Sequence, residues 1–253
     1  MAGELVTAAQ ILAGSGAAGW VVDKLLGPSA DELGNQIKIF ASDRLAAIFS
    51  AIGRKRKAAE LGALPPGFSV SAIQKASVSD NDPNLTEMWA NLLIAAADNY
   101  KSRHMVFADI LSQIGPEEAQ LLKKLAGKRD PDIRMDSDDI RRRFRTSLDS
   151  MKIKGRLDRR EANDLLDPIE KVFDALPVSF ESVKVLIGAS ERQSAHLYKK
   201  DETVSCLVLE RQNLVKSTVF EYSAGAVGPF PITATAFVLT ELGLEFVNVC
   251  EGV

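Results

Sequence analysis

The sequence predicts a mainly α-helical protein. An N-terminal helical domain over residues 1–103 precedes a winged-helix-like domain over residues 104–253, which carries a small β-hairpin and a charged helical insertion at about residues 128–190. Three observations predict this class. Apolar residues recur at helical spacing along most of the chain, and strand-like alternation is confined to its C-terminal part. Residues 123–160 hold 14 Lys/Arg against 7 Asp/Glu in a chain of net charge −3.

The composition is typical of a soluble globular protein, with 46% hydrophobic and 26% charged residues. The length of 253 residues suffices for one large domain or two small ones. Two cysteines, Cys206 and Cys250, do not indicate a disulfide framework, so we expect a reduced, cytoplasmic setting. Membrane association is a further expectation, and it depends on the N-terminal segment.

Residues 5–22 contain no charged side chain, and their number just reaches what a transmembrane helix requires. They are mostly Ala and Gly, with Thr7, Gln10 and Ser15 among them, and little leucine is present to offset the desolvation of these polar groups. We therefore predict a helix that does not span a bilayer. It packs on protein or lies on a membrane surface, which makes residues 5–25 a candidate for peripheral membrane contact.

Ser29 and Glu32 have the spacing of a capping box, which predicts a helix from there to about Ile52. A basic run from Gly53 to Lys57 follows it. Cations interact favourably with the C-terminal end of a helix dipole, so the run indicates a solvated helix end. A phosphate-binding patch is the alternative interpretation.

The central helix is predicted to start at Asp82, whose carboxylate can accept from the free amides of the first turn, with Pro83 at the first helical position. Apolar residues follow on both sides of this helix, so we expect it to be covered on more than one face. Its largest side chains are candidates for a structural anchor of the domain: Trp89, Leu92 and Leu93.

Two further helices are predicted before the insertion. The first runs from His104 to Ile114, and the second opens with Pro116 followed by two acids and ends at Gly127.

The insertion is predicted to begin with a helix capped by Ser137. Four arginines follow on it, and with two later lysines they form a candidate polyanion-binding site: Arg141, Arg142, Arg143, Arg145, Lys152 and Lys154. The arginines are nearly consecutive and fan around the helix, and Phe144 among them belongs to the apolar stripe. A solvated charged face is the alternative interpretation, because nucleic-acid grooves use one basic face with aromatic side chains for stacking.

The C-terminal part changes character. Residues 203–212 predict a helix, and residues 216–222 and 232–239 alternate with β-branched side chains as two strands of a hairpin do. Thr240 is predicted to cap a terminal helix. Helix, hairpin and helix in this order predict a winged helix, with the helix from Pro116 as its earlier part and the charged block inserted between them.

These motifs resemble those of the bacterial Abi-alpha (abortive infection alpha) family. Residues 26–34 (LGPSADELG) resemble its opening signature, and residues 84–93 (NLTEMWANLL) resemble its central motif. Residues 107–122, 209–215 and 239–243 are similar to its later helix, its helix-to-hairpin step and the start of its final helix. Asn213 stands where that family usually has glycine, and asparagine tolerates the same left-handed backbone. The resemblance implies a role in defence against phage and supplies no established catalytic residues.

No pattern in the sequence predicts an enzyme. Residues 14–19 match G-x-G-x-x-G, but the residues before them predict a helix rather than the strand that a dinucleotide site requires. His104 and His196 lack Cys or acidic residues at ligand spacing, so we expect surface or capping roles for them. No cofactor and no metal are predicted.

The preferred hypothesis is therefore a non-enzymatic bacterial phage-resistance protein that acts through protein or membrane contacts. Its expected partner is another protein or a second copy of the chain. The alternative is a winged-helix regulator that binds nucleic acid, and its reading helix would be residues 203–211. That segment offers one arginine and one glutamate and no Asn or Gln fork near its start, so specific reading of bases is weakly supported.

Overall fold

The computed structural model describes residues 42–57, 60–127, 137–151, 153, 157–187, 190–198, 202–223 and 231–252. The predictions for residues 5–25 and for the capping box at Ser29 lie outside these residues. The helices of the described part are α1 Ser42–Lys55, α2 Pro66–Val78, α3 Pro83–Asp98, α4 Arg103–Leu111, α5 Pro116–Gly127, α6 Ser137–Ser150, α7 Arg159–Asp164, α8 Leu166–Asp174, α9 Thr203–Arg211 and α10 Glu241–Glu251. The strands are β1 Val178–Ile187, β2 Ser190–Tyr198, β3 Val215–Ser223 and β4 Pro231–Leu239. The mainly helical class is confirmed, with a small antiparallel sheet.

The chain divides into two compact units. The first contains the described residues up to Ala119 together with those from Phe246 onwards, and the second runs from Gln120 to Glu245. The domain boundary after residue 103 is a different division of the chain and stays a prediction.

In the first unit, the predicted start of α3 is confirmed. Asp82 accepts hydrogen bonds from the backbone amides of Asn84 and Leu85 at 2.8 and 3.1 Å, and Pro83 occupies the first turn. The helix is buried on more than one face, as expected, since Ala90 and Ile94 are buried opposite the main apolar stripe. It packs against α1 and α4 and forms the centre of this unit.

The basic run at the end of α1 is paired with acids of α3. Glu87 accepts from Arg54 at 2.9 Å and from Lys55 at 2.6 Å, and Arg56 lies 3.0 Å from Asp98. These exposed pairs agree with a solvated helix end, and they leave the run less suited to phosphate, because three of its four cations, all but Lys57, already face a carboxylate.

In the second unit, the predicted hairpin is β3 and β4. Both strands are one residue longer at their starts than predicted, and they form half of an antiparallel four-stranded sheet of order β2-β1-β4-β3. Asn213 before β3 has φ +58°, the left-handed conformation expected of it. Thr240 caps α10 by accepting from the amide of Gly243 at 2.9 Å.

The prediction that the insertion is helical throughout residues 128–190 is wrong for its last part. Residues 178–187 form β1, which pairs with β2 on one side and β4 on the other. A bulge between Phe180 and Ser182 shifts the register by one residue, so the buried positions move from even to odd numbers. The strand therefore lacks the strict alternation by which a strand is recognised in a sequence.

The helical part of the insertion covers one face of the sheet. α6, α7 and α8 pack against the strands, and their apolar stripes join the inner-facing side chains in one core. Its aromatic centre is a group of rings at centroid distances of 4.9 to 5.8 Å: Phe144, Phe173, Phe180 and Phe220. The opposite face of the sheet is only partly covered: Ser179 and Phe237 on it are buried, whereas Ser182 and Lys184 are half-exposed.

Candidate functional site

The predicted polyanion site lies on α6, and its arginines do not act as one group. Arg141 pairs with Asp138 at 3.1 Å, and Arg142 pairs with Asp139, one turn earlier on the same helix. Arg143 and Arg145 are exposed, and neither has a carboxylate partner in the described part of the chain. Two of the four charges are thus partly neutralised by local acids.

The remaining two members of that site, Lys152 and Lys154, lie outside the described residues. Polyanion binding by the whole set therefore stays a prediction. Within the described residues, the prediction is supported by the two exposed arginines of α6, Arg143 and Arg145. The apolar residues of the same helix, Ile140, Phe144 and Leu148, are buried in the core.

The predicted structural anchor lies in the interior of the first unit. Trp89, Leu92 and Leu93 are all buried. The indole nitrogen of Trp89 has no hydrogen-bond partner among the described residues. These side chains can stabilise the fold, and their burial leaves them unable to touch a partner directly.

The exposed face of α9 is mainly apolar, with Arg211 at its C-terminal end. Val204 and Leu207 are 70% and 52% exposed, three residues apart on one side of the helix, and Cys206 and Leu209 are buried on the other. The acids next to this face are engaged: Glu202 lies 2.5 Å from Lys124, and Glu210 accepts from the amide of Ser217 at 2.8 Å. The surface is therefore more suited to another protein than to a phosphate backbone.

A second candidate is the open face of the sheet. Opposite residues in antiparallel strands lie on the same face, so the register places Lys184 between His196 and Thr233, and Ser182 between Tyr198 and Thr235. With Ser194 at the end of the same face, these residues form a polar surface across β2, β1 and β4, and we refer to them as the sheet platform: Ser182, Lys184, Ser194, His196, Tyr198, Thr233 and Thr235.

The side chains of β2 hold one another in place on the sheet platform. The rings of His196 and Tyr198 are stacked at a centroid distance of 5.8 Å with 3° between their planes. Ser194 Oγ lies 2.6 Å from His196 Nε2, and Tyr198 Oη lies 3.4 Å from Nδ1. Tyr198 is nevertheless 62% exposed. An aromatic surface supported from one side is thus presented to solvent.

The sequence does not reveal the sheet platform, and it predicts only a surface or capping role for His196. The exposed position is confirmed for His196. The signal was the alternation of polar and apolar residues over 194–198, which indicates a strand with one polar face. Its partners Lys184 and Thr233 come from distant parts of the chain, and only the strand pairing brings them together.

His104 lies in the first turn of α4 and is buried rather than on the surface. Its Nδ1 accepts from the amide of Lys101, just before the helix, at 3.2 Å, but the N-cap residue of α4 is Ser102. Burial lowers the pKa of its imidazole, and the positive charges of Lys101 and Arg103 lower that pKa further. The ring is therefore held in its neutral form within the first unit.

The cysteines have the properties of structural residues. Burial raises the pKa of Cys206 to about 11, and it raises the pKa of Cys250 well above its ordinary value. Both thiols stay protonated at neutral pH and are poor nucleophiles. Among the residues described, no group of three His, Cys, Asp or Glu side chains could hold a metal ion. None of the described helices is long and apolar enough to cross a membrane.

A comparison with known protein families identifies the family of this chain. The sequence profile of a family described as abortive infection alpha matches residues 42–250. The chain belongs to the Abi-alpha family. The matched range includes the central motif at 84–93 and the final-helix motif at 239–243, whereas the opening signature at 26–34 lies outside it. No curated protein and no solved structure matches the chain. Membership associates the protein with abortive infection, a form of defence against phage.

Proposed function

We propose that this Abi-alpha protein is a non-enzymatic phage-resistance protein that acts by binding another protein through the exposed face of α9. The observation that carries the proposal is the pair Val204 and Leu207, which stand largely in solvent on one side of the helix. Val219 on β3, an element in contact with α9, is 48% exposed, but the register places it opposite Thr235 and therefore beside the sheet platform. Apolar side chains grouped in this way favour protein association.

A winged-helix-like core within the second unit is part of the same proposal. α9 leads directly into the hairpin β3–β4, and Lys124 of α5 pairs with Glu202 at the start of α9. In this arrangement β1 and β2 extend the hairpin. The alternative of a DNA-reading regulator is less favoured, because the helix that would enter the major groove exposes Val204 and Leu207, and Arg211 at its C-terminal end is its only fully exposed polar side chain.

Membrane contact through residues 5–25 is a second route that we propose for the same function. Alkaline carbonate washing of membranes from expressing cells tests it. We expect the protein to associate with membranes before the wash and to be released by it, and we expect deletion of residues 1–25 to abolish the association. Retention in the washed pellet would contradict a peripheral contact and indicate insertion.

A phage challenge tests the function itself. The protein is expressed in bacteria, the cells are challenged with a panel of phages, and plating is compared with an empty vector. We expect protection against at least one phage. Combined substitution of Val204→Asp and Leu207→Asp should remove protection, since it places two charges on the contact surface, whereas Val78→Asp at another exposed valine should not.

Circular dichroism and thermal unfolding establish that both variants are folded. The absence of protection by the wild-type protein against every phage would contradict a defence role. Full protection by the folded double variant would instead contradict the α9 contact surface and leave the defence role intact.

A further inference from the structure

The two faces of the four-stranded sheet differ in chemistry. The inner face is covered by α6, α7 and α8 and contributes apolar side chains to the core. The sheet platform on the opposite face is polar, and its side chains are exposed or half-exposed. This face is not polar throughout, because Leu186 lies opposite Ser194 and Val219 lies opposite Thr235. A sheet needs only one fully apolar face for stability, so the exposed aromatic pair and its polar neighbours are available to a ligand.

The aromatic pair provides a stacking surface. The His196 ring supports one side of Tyr198, and the two contacts to its nitrogens hold the imidazole in place. A planar ligand can therefore stack on Tyr198 without first ordering that side chain, which lowers the entropic cost of binding. Nucleic-acid bases are ligands of this kind, and stacking on an aromatic side chain is tolerant of sequence because every base has a π-face.

The charge beside this pair is positive. Lys184 lies directly opposite His196 on β1 and forms no ion pair within the described part of the chain. Its neighbours on the same face are hydroxyl side chains, Ser182 on its own strand and Thr233 and Thr235 on β4, which can donate to phosphate or to base edges. An unpaired lysine one strand away from a stacked aromatic pair fits a phosphate next to a stacked base.

The line of cross-strand neighbours His196, Lys184 and Thr233 continues on β3 to an acidic residue. Glu221 of β3 is opposite Thr233, two strands from Lys184, a separation of roughly 10 Å. Its carboxylate repels phosphate from that edge of the sheet. The ligand is thereby directed to the half formed by β1 and β2, where Tyr198 and His196 are located.

We propose that the sheet platform is a binding site for single-stranded nucleic acid, in which Tyr198 stacks on a base and Lys184 contacts a phosphate. This inference goes beyond the proposed function, because it concerns a different surface and a different class of ligand from the α9 contact. A duplex does not fit the same site, since its bases are already stacked on one another and their faces are unavailable to Tyr198.

Fluorescence anisotropy with labelled oligonucleotides tests the proposal. Single-stranded RNA and single-stranded DNA of equal length are titrated with the full-length protein at low salt, with a duplex of the same length as a third ligand. We expect both single strands to bind more tightly than the duplex. A difference between RNA and DNA then identifies whether a 2′-hydroxyl contributes to recognition.

Substitutions on the sheet platform assign the binding to it. Tyr198→Ala should weaken binding about tenfold, which corresponds to the loss of one stacked base, and Tyr198→Phe should retain most of the affinity. Lys184→Gln should lower the slope of log K against log salt by about 0.7, the value for one phosphate contact to a single strand. Lys216→Gln removes the same charge from an exposed site at the end of β3 and should leave the slope unchanged.

Glu221→Gln should raise the affinity for single-stranded nucleic acid, whereas the substitutions of Tyr198 and Lys184 should lower it. Removal of its negative charge should tighten binding at low salt, and the gain should disappear as salt screens the repulsion. Both Tyr198 and Glu221 are exposed, so these variants are expected to fold, and thermal unfolding checks this.

Three results would overturn the proposal. The first is the absence of binding to either single strand at low salt. The second is equal affinity for the duplex and the single strands. The third is single-strand binding that is unaffected by Tyr198→Ala and Lys184→Gln, which would place the interaction elsewhere on the chain.

Discussion

At the scale of single residues, several buried polar side chains make contacts that span long stretches of the chain. In the first unit, Asn91 of α3 accepts from Lys55 Nζ at 2.7 Å and donates to the carbonyl oxygen of Cys250 at 2.8 Å. His104 lies among aromatic rings, with centroids of Phe68, Tyr100 and Phe107 at 5.9 to 6.5 Å. A buried polar group of this kind stabilises the fold only if its protonation state and orientation allow it to form its hydrogen bonds.

His104 predicts a component of stability that depends on pH. Its pKa is lowered in the folded chain by burial and then by Lys101 and Arg103, so the folded state binds its proton less readily than the unfolded state. This stability is fully present above the ordinary histidine pKa of about 6.5 and is lost as pH falls through the lower folded pKa. Urea unfolding midpoints should therefore decrease between about pH 7.5 and about pH 5.5.

The variant His104→Gln should show a weaker decrease over the same range, because glutamine does not titrate. It should also be less stable than the wild type at the upper pH, where the neutral imidazole accepts from Lys101. The same decrease in both proteins would show that other groups cause the pH dependence.

At the scale of elements, the ends of helices and strands are determined by close backbone approaches as well as by caps. Thr240 Oγ1 donates to the carbonyl oxygen of Asn213 at 2.6 Å and accepts from the amide of Gly243, which joins the start of α10 to the turn before β3. Gly243 lies so close to Leu214 that a Cβ atom added to it would collide with the carbonyl oxygen of that residue. The glycine in the motif 239–243 therefore permits this contact.

Gly243→Ala is expected to destabilise the protein. In an isolated helix, alanine is more favourable than glycine by about 1 kcal/mol, so propensity alone predicts the opposite sign. The collision involves backbone, which cannot move aside as a flexible side chain can, and overpacking of this kind costs about 1–3 kcal/mol. Chemical denaturation measures the difference in the free energy of unfolding.

Gly67→Ala is the matched control for that substitution. Gly67 lies in the first turn of α2, where an added Cβ meets no atom within 4 Å. Its replacement should be neutral or slightly stabilising, because it restricts the unfolded chain. A stabilising effect of Gly243→Ala would show that α10 does not approach Leu214 as closely as described.

At the scale of the whole molecule, the uneven charge distribution is the property with functional consequences. The net charge is −3, yet residues 123–160 carry a local excess of seven positive charges. The described part of that block directs its apolar side chains into the core and its arginines outwards. Non-specific attraction to polyanions would therefore come from α6, whereas the stacking inferred above belongs to the sheet platform.

Substitution of arginine pairs on α6 distinguishes free from paired charges. Binding to heparin or duplex DNA at low salt should fall steeply with salt if the block binds polyanions. Arg143→Gln with Arg145→Gln should reduce it more than Arg141→Gln with Arg142→Gln, because the latter pair already contacts Asp138 and Asp139. Both variants lose two charges, so each controls for the other.

Equal losses in the two variants would contradict the distinction between free and paired arginines. The absence of polyanion binding in the wild type at low salt would reduce the block to a solvated charged face. Single-stranded ligands are polyanions too, so their binding includes any contribution from α6, and Tyr198→Ala separates the part that depends on stacking.

The local features of this protein follow from short stretches of its sequence. The cap at Asp82, the left-handed Asn213, the cap at Thr240 and the helices of the insertion each depend on residues a few positions apart, and so they can be read in order along the chain. The hairpin β3–β4 was predicted for the same reason, since its alternation is regular and its strands are close neighbours. Family membership was likewise evident from short motifs.

Features that depend on distant residues become visible in the folded chain alone. The bulge in β1 concealed that strand, because a shift of one residue breaks the alternation on which its prediction relies. The sheet platform then needs Lys184, His196 and Thr233 side by side, and no local rule specifies which strands pair or which face the helices cover. Pairing and coverage are determined by the burial of apolar surface over the whole unit, a property that no single stretch of sequence contains.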